Sequence, residues 1–247
     1  MTSTVKDQQK IWEYFQGEGR SSFALARPRL DYILRQIASL SRGRSPTVLN
    51  VGCGDGYFEL SAQSRGWSSA SVDPDPAAIA ALEAQHVDAN VGFFSALPYA
   101  NEHFDFVVAS EVIEHLRDGD RAPSLREAWR VLKPDGWFLG TVPYNEELAA
   151  FTTVCPSCGA RFHRWGHQAS FTETRINTEL REAGFTQISS RHTALVSWKG
   201  PLLSKLKALA RLALARRGEP IAQPSLYFSA QKGTTPGQSS NSAPRGL

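Results

Sequence analysis

Two stretches of this 247-residue chain hold the residues best suited to chemistry. The first is Val48-Leu49-Asn50-Val51-Gly52-Cys53-Gly54-Asp55-Gly56, an apolar run that stops at a turn with glycine at every second position. A backbone stripped of side chains at a strand end lets a ligand lie on main-chain N–H groups and on the N-terminus of the helix that follows. Further on, Ser71-Val72-Asp73 ends a second short apolar stretch in a carboxylate. Glycines under one end and an acid on the ribose hydroxyls are how an open α/β sheet holds a nucleoside. The alternative for Asp73 is a helix N-cap serving Ala77 onward. The spacing argues against a dinucleotide, because the third glycine of G-x-G-x-x-G comes one residue early and Tyr57 stands in its place.

The second stretch is Cys155-x2-Cys158-x4-His163-x3-His167. Two thiolates and two imidazoles complete a tetrahedral zinc site with no open position, which is the structural type. Pro156 and Gly159 suit a tight turn that aims both sulfurs at one metal. The gap between the pairs is too short for the ββα unit of a DNA-reading finger. A disulfide or two unrelated thiols remain as alternatives; a thioredoxin-like redox pair is disfavoured, since this C-x-x-C does not open a helix after a strand.

These residues need elements to position them. Strand and helix patterns alternate: strand 47–52, helix 56–66, strand 68–73, helix 76–86, a weak strand near 90–94, strand 104–109, helix 119–132 and strand 136–142. Such alternation predicts a parallel sheet with helices on both faces. Lys133-Pro134-Asp135-Gly136 is turn chemistry between the last of these helices and its strand. Helical spacing returns at 173–183 and stops at Gly184, and strands near 186–196 and 225–231 complete the sheet. Before the first strand, 7–40 reads as helices broken by Gly17, Gly19 and Pro28. The expected layout is an N-terminal helical cap at 1–43, a main domain at 44–232 with an insert at 151–170 and a basic helix at 200–217, and a disordered tail at 233–247 rich in Ser, Pro, Gly and Thr.

Composition bounds the function classes. The formal charge of +3 is too small to imply nucleic-acid binding by itself. No signal-peptide order stands near the N-terminus and no apolar stretch reaches membrane-spanning length. Three cysteines, two of them in one C-x-x-C, make no disulfide framework, so a reducing cytoplasm is the default compartment.

The motifs from Val48 to Val142 resemble the class I S-adenosylmethionine-dependent methyltransferases, in the branch that includes the ubiquinone and menaquinone biosynthesis enzymes. Besides the glycine turn and Ser71-Val72-Asp73-Pro74-Asp75-Pro76, the matching pieces begin with Leu97-Pro98-Tyr99 leading to Phe104-Asp105-Phe106-Val107-Val108. They continue with Glu111-Val112-Ile113-Glu114-His115-Leu116 and Arg130-Val131-Leu132-Lys133-Pro134-Asp135-Gly136. The resemblance implies a Rossmann-like, doubly wound, mostly parallel seven-stranded sheet with the last strand antiparallel, and S-adenosylmethionine as cofactor. It further implies a cofactor site made of Asn50, Gly52, Cys53, Gly54, Gly56, Asp73, Pro74, Phe94, Ser95 and Ser110. Similar Cys/His inserts in this branch agree with zinc at Cys155, Cys158, His163 and His167. Two positions depart from the family pattern. Asn50 stands where the first motif usually opens with Asp, which gives up a charge-assisted hydrogen bond to the cofactor's ammonium group and weakens its binding. Phe93-Phe94 stands where relatives often have an acid on the adenine amine, so adenine would rest on apolar groups and backbone near Phe94 to Leu97.

A sulfonium methyl is already activated, and the protein mainly aligns nucleophile, carbon and sulfur. A base is needed only for an acceptor that enters protonated. Glu111, Glu114 and His115, just past the strand ending at Ala109, are the candidates; the alternative is that Glu114 and His115 open and cap a helix. From Lys199 to Arg217 there are six Lys/Arg and no acid, with Leu202, Leu206 and Leu209 on one face and Lys205 and Arg217 intruding on its edge. That helix either packs its leucines on the core or rests on an anionic membrane. Expected acceptors are a small molecule, a saccharide or a lipid-linked precursor, methylated at oxygen; nucleic acid is not expected. The competing reading is a non-catalytic S-adenosylmethionine-binding regulator or scaffold.

Overall fold

A computed structural model of the chain describes residues 10, 11, 14, 23–197, 201–219 and 224–233. Most of the expected N-terminal cap before Phe23, and the expected tail after Gly233, lie outside the described residues. From Arg27 onward the elements run α1 (Arg27–Ser41), β1 (Thr47–Val51), α2 (Tyr57–Gln63), β2 (Ser68–Asp73), α3 (Pro76–Glu83), β3 (Asp88–Val91) and β4 (Phe104–Ser110). They continue with α4 (Asp118–Val131), β5 (Leu132–Pro143), a small hairpin of β6 (Thr152–Val154) and β7 (Arg161–His163), α5 (Glu173–Glu182), β8 (Phe185–Thr193), α6 (Leu202–Arg216) and β9 (Ser225–Lys232).

Seven strands form one sheet in the order β3-β2-β1-β4-β5-β9-β8. The first five pair in parallel, and β9 runs antiparallel to both β5 and β8. The expected doubly wound sheet with an antiparallel last strand is what the chain forms. Apolar residues on both faces explain it: Phe106 and Val108 of β4 pack with Ile33, Leu34 and Ile37 of α1, while Val107 packs on the other side with Leu125 of α4 and Ile176 of α5. A strand buried on both faces needs such a continuous apolar run. Chain order turns back between β1 and β4, which are neighbours although β2 and β3 separate them in sequence. This is the switch point, where open α/β sheets leave a crevice beyond their carboxyl ends.

Two local expectations change. The turn at Lys133–Gly136 is absorbed into β5 as an irregularity, with Leu132 opposite Phe104, Trp137 opposite Phe106, and Asp135 at a φ of 61°. The basic helix α6 does not bury its leucines. It contacts β8, packs Ala215 with Ala194, and leaves Leu202, Leu203, Leu206, Leu209 and Leu214 38–73% exposed. No helix among the described residues is long and apolar enough to cross a membrane.

Gly140 shows how tightly the sheet centre is filled. A Cβ there would lie 2.3 Å from the Ala109 carbonyl oxygen and 2.4 Å from the Phe228 ring. Gly140→Ala is therefore expected to cost at least about 3 kcal/mol, the upper range for overpacking, read as a lowered urea midpoint. An unchanged midpoint would show that β5 and β9 are less closely packed than described.

Candidate active site

A cavity opens at the carboxyl ends of β1, β2 and β4. Its floor is Asn50, Gly52, Cys53, Gly54, Asp73 and Pro74; its far wall is Ser110, Glu111, Val112, His115 and Leu116. Phe23, Arg29 and Leu30 close it from the N-terminal side, and Trp165 and His167 reach it from the insert. Gly52 must be glycine for two reasons: its φ is 84°, and a Cβ would come within 2.8 Å of Val112 Cγ2.

Asp73 is braced. Its Oδ2 accepts from the Cys53 N–H at 3.0 Å and its Oδ1 from the Asp75 N–H at 2.9 Å. The carboxylate thereby ties the end of β2 to the glycine turn after β1. Helix α3 is capped by Asp75, whose side chain accepts from the Ala77 N–H, so Asp73 is not the cap. Burial pushes the Asp73 pKa up, against the two backbone hydrogen bonds that pull it down. Burial likewise raises the Cys53 thiol, with the Asp73 charge adding to it, which keeps that side chain neutral.

Under the turn lies a network the sequence reading did not pick out. Asn50 Nδ2 donates to Glu59 Oε1 at 2.7 Å, and Ser71 Oγ lies 2.9 Å from the same oxygen. Glu59 is on α2 and fully buried. Burial raises its pKa to about 7, opposed by the hydrogen bond from Asn50.

On the opposite wall, Glu111 holds a left-handed backbone with φ 57°, a conformation that costs a non-glycine residue energy and is found at functional sites. Its carboxylate is 3.8 Å from Arg29 Nε, which donates to Ser110 Oγ at 2.9 Å. His115 is held neutral, its pKa lowered to about 3 by burial and then by neighbouring His167. The two rings meet edge to face with centroids 4.8 Å apart. Glu114 lies behind the wall, fully buried, and neither carboxylate oxygen has a hydrogen-bond partner among the described residues. Burial, then the Glu111 charge, raises its pKa well above the carboxylate range.

Several expected site residues stand elsewhere. Gly56 is outside the cavity; it starts α2, where a Cβ would meet Leu82 Cδ2 at 2.9 Å. Phe94 is turned into the core edge-to-face with Phe138, and Ser95 beside it does not line the cavity. The tight turn bridging Phe93 and Ala96 drives this, leaving Phe93 outside and Phe94 inside. The insert does not gather its two cysteines and two histidines. Cys155 and Cys158 sit at the tip of the β6–β7 hairpin as free thiols, Cys158 exposed. Both histidines instead face Glu146: His167 Nδ1 is 2.5 Å from Oε2, and His163 Nε2 is 3.7 Å from Oε1. Among the described residues, two sets offer donor atoms within 4.8 Å of one another that could hold a metal ion, Glu114-His115-His167 and Glu146-His163-His167.

Residues 24–190 match a family model described as a methyltransferase domain. A probable S-adenosylmethionine-dependent methyltransferase of Mycolicibacterium smegmatis is 34% identical over 117 residues, 47% of this chain and 44% of that protein. A ubiquinone biosynthesis O-methyltransferase of Azorhizobium caulinodans is 27% identical over 174 residues, 63% of this chain and 66% of that protein. The matches thus span roughly half to two thirds of these relatives' lengths. Among solved structures, a possible histamine N-methyltransferase from Thermotoga maritima superimposes with a TM-score of 0.62 at 18% identity, covering 90% of this chain and 99% of that one. A SAM-dependent methyltransferase from Methanosarcina mazei gives 0.57 at 20%, covering 77% and 94%. These two likenesses are of fold.

Glu59 makes stability depend on pH in a defined direction. Its native pKa of about 7 lies above the ordinary 4.5, so the folded state holds the proton more tightly than the unfolded chain. Its contribution is complete below pH 4.5 and is lost as pH rises toward 7, by up to about 3 kcal/mol. Glu59→Gln removes this slope. The difference between wild-type and variant unfolding free energies, measured from pH 5 to about pH 8, is expected to shift in the variant's favour. A pH-independent difference would mean that Glu59 titrates normally.

Proposed function

Because this chain belongs to the methyltransferase domain family, we propose that it transfers the methyl group of S-adenosylmethionine to an oxygen of a small-molecule, saccharide or lipid-precursor acceptor. One observation carries the cofactor: the braced Asp73 carboxylate beside the Gly52–Gly54 floor, at the switch point of the sheet. With each oxygen already fixed by a backbone N–H, the remaining lone pairs have set directions and suit two vicinal hydroxyls. Gly52 and Gly54 leave the floor bare for the amino-acid end. The residues present therefore fit this cofactor. Bound, it supplies a methyl that needs alignment more than acid–base help.

The chain's own residues would do the rest. Val112, Leu116 and Trp165 give the acceptor an apolar wall that excludes water. Glu111, paired with Arg29, is the carboxylate on that wall, and neutral His115 is the hydrogen-bond acceptor next to it. Either can hold an acceptor hydroxyl by its proton. The ubiquinone O-methyltransferase names of several relatives favour oxygen. The competing reading, a binding protein without catalysis, draws its support from Asn50; the cavity wall beyond the cofactor seat speaks for catalysis.

The exposed leucines of α6 favour an acceptor met at an anionic bilayer. On a helical projection they form one stripe, bordered by Lys205 and Arg216 on one side and Lys207 and Arg211 on the other. The helix carries no acid. Leucines enter the acyl boundary while the cations stay with the headgroups. His192 Nε2, at the carboxyl end of β8, lies 3.3 Å from the Arg216 carbonyl oxygen, tying α6 to a strand that runs parallel to β5 and ends on the same side of the sheet as the cavity.

Calorimetry with S-adenosylmethionine is expected to show binding, and Asp73→Asn to weaken it by roughly 10- to 100-fold, the equivalent of one charged hydrogen bond. Labelled methyl should then pass into a lipid or small-molecule fraction of cell extract; binding without any transfer would establish the non-catalytic reading. Phosphatidylglycerol vesicles are expected to carry the protein upward in flotation, with loss at high salt and in Leu206→Glu/Leu209→Glu. A protein that stays at the bottom at low salt has no membrane helix.

A further inference from the structure

The family pattern puts an acid at the strand position held here by Asn50, yet the buried surroundings of Asn50 are not short of charge. Glu59 is fully buried in the first turn of α2, and its Oε1 accepts from Asn50 Nδ2 at 2.7 Å. The same amide nitrogen reaches the Gly52 carbonyl oxygen at 3.3 Å. Both neighbours are acceptors, so the amide cannot be turned round without setting oxygen against oxygen. That orientation fixes the other end. Asn50 Oδ1 is buried, has no hydrogen-bond partner among the described residues, and belongs to a residue that lines the cavity. A buried acceptor without a donor is costly, on the order of 1–3 kcal/mol, and its natural remedy is a donor supplied by a ligand.

Resting on the cofactor reading above, we infer that Glu59 is a positioning residue for an ammonium group. It fixes Asn50, on the cavity floor, so that Oδ1 is held as the acceptor for the amine of the cofactor's amino-acid end, and, once ionised, it supplies from behind the negative charge that the strand lacks. The acid has moved from β1 to α2, and the amide relays it. Ser71 Oγ, 2.9 Å from Glu59 Oε1, holds the carboxylate in register with the strand. Thus the site selects a cationic amine, although its wall shows only a neutral side chain at this point.

The exchange is testable with two ligands. S-adenosylhomocysteine carries the ammonium and carboxylate; 5′-methylthioadenosine keeps the nucleoside and lacks both. In Glu59→Gln, affinity for S-adenosylhomocysteine is expected to fall about tenfold, about 1.4 kcal/mol, and that for methylthioadenosine to stay within about twofold. Asn50→Asp/Glu59→Gln, which returns the acid to the strand, should restore S-adenosylhomocysteine binding, while Asn50→Asp alone sets two carboxylates side by side and lowers the melting temperature. The double variant keeps the test valid should Glu59→Gln fold poorly. Equal losses for both ligands, or no loss for either, would overturn the inference and leave the cofactor reading standing. A wild-type protein that binds neither nucleoside would remove both.

Discussion

A buried carboxylate must find hydrogen-bond donors, and Asp73 finds them in two different loops. One oxygen takes the Cys53 N–H from the turn after β1, the other the Asp75 N–H at the start of α3. Most of the site follows from that clasp. It sets the height of the glycine floor against β2, it leaves Asp75 free to cap α3, and it presents lone pairs in fixed directions at the crevice where chain order reverses. The carboxyl group tolerates burial because both of its oxygens accept from backbone donors that cannot move away. Its environment is thus prepared before any ligand arrives, which lowers the reorganisation that binding would otherwise require.

The two sides of the cavity are built on different principles. The cofactor side is backbone and buried hydrogen bonds: glycines, the Asp73 clasp and the Asn50–Glu59 pair. The acceptor side is side chains from three separate segments, with Glu111 on a left-handed backbone, Arg29 from α1, and Trp165 and His167 from the insert. Both histidines of the insert face Glu146, and His167 reaches the cavity wall. The far wall of the cavity is therefore built by segments outside the sheet, while its floor is built by the sheet itself.

Much of this was legible in the sequence, for physical reasons. Alternating strand and helix patterns are local, and the apolar runs of β1, β4 and β5 suit strands buried on both faces. Asp73 and the glycine turn were legible because backbone geometry restricts which residues can stand there. What escaped depended on long-range placement. Glu59 reads as an ordinary helix acid until its turn of α2 is laid under β1; its spacing of nine residues from Asn50 was the available signal. Phe93 and Phe94 are adjacent, and only the turn at Phe93–Ala96 decides which of them is buried. Cysteine and histidine spacing suggested one tetrahedral set, but the β6–β7 hairpin separates thiols from imidazoles. The leucines of α6 read more readily as packed on the core; periodicity shows that a face exists and not what covers it.

A crystal structure with S-adenosylhomocysteine bound tests the central claim most directly. Expected are both ribose hydroxyls within hydrogen-bond distance of the Asp73 carboxylate and the ligand's amine on Asn50 Oδ1, above Gly52 and Gly54. A ligand that binds with its ribose away from Asp73, or outside this cavity, would contradict it.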